Sequence, residues 1–171
     1  MARALQLAEL GQYTAHPNPM VGCVIVKDGM VVGEGWHECA GEAHAEINAL
    51  AAASGRTNGA TAYVTLEPCA HHGKTPPCAQ ALIDAGISRV VAAMRDPYEE
   101  VAGRGLAMLK NAGVAAELGL MQASAERLNA GYVSRVSSNR PYVRVKVAAS
   151  IDGAIAMSSG ESQWITGAPA R

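Results

Sequence analysis

Apolar positions along the chain switch repeatedly between helical and strand spacing, and turn residues punctuate each switch. Met1 to Leu10 is an Ala/Leu-rich amphipathic stretch ended by Gly11, which predicts a helix. Val21 to Lys27 and Met30 to Trp36 are β-branched runs separated by Asp28-Gly29, a hairpin signal. His44 to Ala53 reads as a helix closed by Ser54-Gly55, and Ala60 to Leu66 as a strand ending at Glu67-Pro68. Pro76-Pro77 introduces a helix over Cys78 to Ala85, with Gly86 in the stop position. A buried strand is expected over Arg89 to Met94, a helix over Gly105 to Ala112 stopped by Gly113, and a short strand over Val114 to Leu118. Met121 to Val136 reads as one longer helix with Ala125, Leu128 and Tyr132 on one stripe. Strands alternating with helices after one hairpin predict an α/β fold, a mostly parallel sheet covered by helices on both faces.

Ser137-Ser138-Asn139-Arg140-Pro141 is the credible linker, which places a first domain over 1–140 and a remnant over 141–171. In the remnant, Tyr142 to Ala149 alternates as a strand, and Asp152-Gly153 makes a turn into Ala154 to Met157. Thirty-one residues are too few to complete a second domain of ordinary size.

Composition narrows the class. Hydrophobic residues make up 49% of the 171, which excludes disorder. A net charge of -1 removes the usual argument for a nucleic-acid or anionic-membrane partner. No apolar run reaches the ~18 residues of a membrane span, and no charged-then-apolar leader opens the chain. The expectation is a soluble, cytoplasmic protein. Its four cysteines, Cys23, Cys39, Cys69 and Cys78, read as metal ligands or buried thiols rather than a disulfide framework.

The informative constellation is His44-Ala45-Glu46, then Pro68-Cys69, then Cys78. One imidazole and two thiolates are ligands that Zn²⁺ favours, and three protein ligands leave a fourth position open, as in catalytic sites. Residues i and i+2 of a helix point in nearly opposite directions. His44 and Glu46 can therefore share a site only where a helix begins. Cys78 also stands at a helix start, where a thiolate is favoured. Cys23 and Cys39 have no such company and read as buried small hydrophobes.

His-Ala-Glu followed by Glu-Pro-Cys resembles the zinc nucleoside and nucleobase deaminases, whose signature is H-x-E…P-C-x-x-C. Here eight residues, Ala70 to Pro77, separate the two cysteines. That long loop, with His16-Pro17-Asn18-Pro19-Met20-Val21-Gly22 and Gly35-Trp36-His37, resembles the deaminase domain of the bifunctional riboflavin-biosynthesis deaminase/reductase family. Lys146 to Gly153 and Ser159 to Thr166 look like the opening of that family's reductase domain.

The resemblance implies a three-layer α/β/α cytidine-deaminase-like sandwich with a mixed, mostly parallel sheet. It implies one Zn²⁺ held by His44, Cys69 and Cys78, with Glu46 as catalytic proton shuttle. The implied reaction is hydrolytic deamination of a diamino-pyrimidinone ribosylamine 5′-phosphate to the aminouracil, in a homo-oligomer. Asn18, His37 and Lys74 are the candidate substrate contacts, Lys74 for the phosphate. Their plain alternatives are a turn residue, a strand-end histidine and a solvated loop lysine. His71 and Thr75 match the family pattern without an assigned step. In a complete protein Ala148, Trp164 and Thr166 would contact NADPH, and Ser162 the reductase substrate; this chain is expected to deaminate but not reduce. The rival readings are a base deaminase acting on tRNA or DNA, opposed by the charge and by 4% aromatic content, and a non-catalytic zinc module, opposed by Glu46.

Overall fold

The computed structural model describes residues 1–71, 76–99 and 101–170. The chain divides into two compact units, Met1–Pro141 and Tyr142–Arg171.

The first unit is built on one sheet of five strands: β1 (Gly22–Lys27), β2 (Met30–Trp36), β3 (Thr61–Val64), β4 (Arg89–Ala92) and β5 (Ala115–Leu118), in the order β2-β1-β3-β4-β5. The hairpin turn falls at Asp28-Gly29, where both residues take positive φ (51° and 76°), as a two-residue turn matched to strand twist requires. β1 is antiparallel to both β2 and β3, while β3–β4 and β4–β5 are parallel. The sheet is thus mixed, as expected, with half its pairings parallel rather than most.

Alternation along β1 divides the helices between the two faces. Cys23 and Ile25 pack in one core with Ala45, Ala49 and Ala53 of α2 (Ala45–Ala53), Leu82 of α3 (Cys78–Asp84) and Leu109 of α4 (Arg104–Asn111). Val24, between them, packs with Ala4 and Leu7 of α1 (Ala2–Glu9). That second face continues through Leu5, Leu66, Ala93, Met94 and Ala125 of α5 (Gln122–Leu128), with Val133 of α6 (Ala130–Ser138) packed against it. The architecture is three-layered. α2 lies close on β2, since a Cβ at Gly33 or Gly35 would overlap the backbone of Ala49. An alanine-rich helix and glycines in the strand beneath it form one device.

The long helix expected over Met121 to Val136 is two helices, separated at Asn129. The buried Asn129 side chain bonds both backbone groups of Met20: its Oδ1 accepts the Met20 N–H at 2.8 Å, and its Nδ2 donates to the Met20 carbonyl at 2.8 Å. That pair of bonds ties the junction of the two helices to a segment 109 residues away in sequence. The alternation at Tyr142 to Ala149 does not become a strand. Among the described residues no strand pairs with this segment, and without a partner strand its backbone groups have no ladder to join. The expected turn is present: Gly153 N–H donates to the Ser150 carbonyl at 2.9 Å.

The topology brings four chain segments to one edge of the sheet. Antiparallel pairing sets the start of β1 beside the ends of β2 and β3, and parallel pairing adds the end of β4. His37 N–H donates to the Val21 carbonyl and Glu67 N–H to the Met94 carbonyl, extending these pairings past the strands.

Candidate active site

At that edge His44, Cys69 and Cys78 come together from three elements. His44 is the N-cap residue of α2, with extended backbone, and Cys78 is the first residue of α3. Cys69 follows the end of β3 and is held by the first turn of α3: Cys78 N–H donates to Cys69 Sγ at 3.2 Å, and Ala79 N–H donates to the Cys69 carbonyl at 3.1 Å. His44 Nδ1 stands 3.3 Å from Cys78 Sγ and 3.7 Å from Cys69 Sγ. The three ligand atoms all lie within 4.8 Å of one another. Tetrahedral zinc, with Zn–S of about 2.3 Å and Zn–N of about 2.0–2.1 Å, sets its donors about 3.6–3.8 Å apart. The donor set and its spacing fit that ion.

The protonation preferences of the cluster follow from its crowding. The Cys69 thiol is pulled down to about 4 by its hydrogen bond with Cys78, and further by His44 and the Cys78 amide. Cys78, which supplies that bond from a buried position, is pushed up, and His44 is raised by its bond to Cys69. Glu46, 4% exposed in the first turn of α2, is lifted to about 7, chiefly by burial and then by the negative charge on Cys69.

Glu46 shares with His44 and Cys69 a cavity of about 410 Å³, also lined by Asn18, His37, Glu67, His71, Asp96, Tyr132 and Arg135 among others. Two expected substrate contacts are therefore on its wall. His37 is buried, and both its ring nitrogens are engaged: Nδ1 lies 3.1 Å from the Ala43 carbonyl and Nε2 lies 3.0 Å from the Asn18 amide nitrogen. A carbonyl only accepts, so Nδ1 carries the proton and Nε2 accepts from Asn18. The His37 ring also meets the His44 ring edge-on, centroids 5.5 Å apart. Lys74 lies outside the described residues, as does Thr75. In the second unit Ala148, Ser162 and Trp164 are exposed and Thr166 is half-buried.

Several cavity residues escaped the sequence reading. Glu67 accepts three backbone N–H groups, from Gly103 (2.9 Å), Leu106 (3.1 Å) and Asp96 (3.4 Å). It serves the start of α4, where no side chain of the helix's own N-cap residue does so. The signal available was Gly103-Arg104-Gly105, a helix start with no capping side chain. Gly105 is itself required there, because a Cβ would overlap the Pro68 carbonyl oxygen. Asp96 accepts from Tyr98 N–H at 2.9 Å and from the Tyr132 hydroxyl at 2.7 Å, and burial raises its carboxyl.

Comparison with known proteins accounts for this arrangement. Residues 1–94 match the family described as the cytidine and deoxycytidylate deaminase zinc-binding region. A diaminohydroxyphosphoribosylamino-pyrimidine deaminase from Buchnera aphidicola subsp. Acyrthosiphon pisum is 51% identical over 141 residues, spanning 82% of this chain and 96% of that protein. The chain belongs to the RibD family of riboflavin-biosynthesis deaminases. The riboflavin biosynthesis protein RibD of Escherichia coli K12 is 60% identical over all 171 residues, which cover 47% of it. A solved Thermotoga maritima diaminohydroxyphosphoribosylaminopyrimidine deaminase/5-amino-6-(5-phosphoribosylamino)uracil reductase superposes with a TM-score of 0.92 at 42% identity, over 98% of this chain and 48% of that one. Residues 141–171 match the RibD C-terminal domain. The chain thus spans about half the length of the larger RibD relatives. His44, Cys69 and Cys78 form the His/Cys/Cys cluster of its zinc-binding deaminase domain. Among the described residues no helix is long and apolar enough to cross a membrane.

Proposed function

We propose that residues 1–140 form a zinc-dependent deaminase domain. It converts 2,5-diamino-6-ribosylamino-4(3H)-pyrimidinone 5′-phosphate and water to 5-amino-6-(5-phosphoribosylamino)uracil and ammonia. The observation that carries this reading is Glu46, a buried carboxylate on the wall of the cavity that also receives His44 and Cys69, yet outside the three-donor cluster. A purely structural site has no use for a carboxylate there.

His44, Cys69 and Cys78 would hold the metal, which when bound makes water nucleophilic near neutral pH. Glu46 takes one proton of the attacking water and passes it to the ring nitrogen beside the reacting carbon. It then takes the remaining proton from the new C–OH and delivers it to the amine, which departs as ammonia while the carbonyl forms. A carboxyl near 7 can both accept and return that proton at neutral pH. Asn18, tied through Nδ2 to His37, presents Oδ1 as an acceptor for a ring or ribose donor. His37 orients Asn18 and abuts His44. Lys74 binds the phosphate.

Residues 141–171 are proposed as the opening of a reductase domain, with Ala148, Trp164 and Thr166 toward NADPH and Ser162 toward the sugar in a complete chain. The deciding assay is ammonia release by the zinc-loaded chain from the riboflavin-pathway intermediate and, separately, from cytidine. Release from the first alone supports the reading. Release from cytidine alone, or from neither, overturns it.

A further inference from the structure

The described walls of the cavity carry one lysine or arginine side chain, Arg135 of α6. Its neighbours hold it in place without neutralising it. One Nη donates to the Pro17 carbonyl at 2.9 Å, and the guanidinium stands 5.8 Å from the centre of the Tyr132 ring. Tyr132 is fixed in turn by its hydroxyl bond to Asp96. A guanidinium has five N–H donors in a rigid fork. Arg135 spends one on Pro17, and among the described residues no carboxylate forms an ion pair with it. The side chain is exposed, so a ligand entering from solvent meets it without first desolvating the cation.

An unneutralised guanidinium, braced at the lip of a cavity whose described walls carry no other lysine or arginine, has the chemistry of an anion subsite. Placement fits this role. The metal cluster comes from the starts of α2 and α3 and the turn after β3, whereas Arg135 comes from the last helix of the unit. The reacting pyrimidine carbon belongs at the cluster, so the phosphoryl group at the far end of the ribose belongs elsewhere on the wall. We infer that Arg135 binds the 5′-phosphate of the substrate through paired N–H donors, while its tether to Pro17 holds the Asn18 loop against that anion. The inference rests on the proposed deaminase function and adds a residue to it.

The test compares the zinc-loaded chain with Arg135→Ala and Arg135→Lys on the phosphorylated substrate and on its dephosphorylated counterpart. Loss of a charged, paired hydrogen bond should raise KM for the phosphorylated substrate about 10- to 100-fold. The penalty on the dephosphorylated substrate should be at least tenfold smaller. Lysine, with the charge but not the fork, should recover part of the loss. Equal penalties on both substrates would make Arg135 a loop tether only and overturn the inference, as would no penalty at all. Should the wild-type chain release no ammonia from either substrate, the functional reading falls. Calorimetric titration with ribose 5-phosphate then decides the subsite alone: binding by the wild type that is lost in Arg135→Ala supports it, and equal or absent binding in both refutes it.

Discussion

The Glu67 carboxylate accepts the Gly103 backbone N–H at 2.9 Å, joining the turn that carries Cys69 to the start of α4. With Leu106 and Asp96 also donating to it, Glu67 answers three backbone N–H groups, two of them buried. Glu67→Gln turns one acceptor into a donor facing donors. It should cost on the order of 3 kcal/mol in urea unfolding and lower zinc occupancy, because Cys69 lies two residues on. A variant with wild-type stability and full metal would remove Glu67 from the support of the site.

Metal content separates the cysteines. Cys23 is fully buried and its thiol is pushed well up, by burial and then by the Glu46 charge, so it stays protonated and packs as a small hydrophobe. Elemental analysis should find one zinc per chain in the wild type, in Cys23→Ala and in Cys39→Ser, and a loss in Cys78→Ser. Chelation should lower the melting temperature of the first three and leave Cys78→Ser unmoved.

Glu46→Gln keeps the size of the side chain and removes its proton transfer. It should bind zinc and substrate yet turn over about 10²- to 10⁴-fold more slowly. Near-normal turnover would transfer the shuttle to another group. His37 is poorly placed for that, with Nδ1 against the Ala43 carbonyl and Nε2 against Asn18.

Asp96 gives a pH signature of stability. Burial raises its carboxyl above the ordinary 3.8, so the folded state keeps this proton to higher pH than the unfolded state does. Its stabilising contribution is full below pH 3.8 and fades as pH rises through the folded value, leaving a cost at neutrality. Asparagine at 96 can still accept from Tyr98 and Tyr132 and carries no such cost. The stability of Asp96→Asn relative to wild type should be greatest at neutral pH and shrink on acidification below the Asp96 pKa. A difference independent of pH in thermal unfolding would contradict this.

The parts of the fold legible in the sequence were those set by neighbours along the chain. Asp28-Gly29 marks its turn by itself, and the two-residue offset of His44 and Glu46 already demanded a helix start, where both are found. The parts that escaped depend on remote partners. Nothing near Asn129 marks a helix break; its partner Met20 lies 109 residues away. Glu67 looked like the end of a strand because the N–H groups it serves begin 29 residues later. The alternation of Tyr142 to Ala149 describes a strand, but a strand is a pairing, and no partner is described beside it.

The span of these contacts also orders events during synthesis. His44 and Cys78, 34 residues apart, complete the donor set with Cys69 between them, and all three have been made once residue 78 is added. The Asn129 grip on Met20 and the Arg135 bond to Pro17 close loops of 109 and 118 residues. Closing a longer loop costs more chain entropy, and that cost falls before the contact can repay it. A nascent chain can thus hold its three metal donors about fifty residues before the helix that walls the cavity exists, so metal capture can precede formation of the substrate pocket.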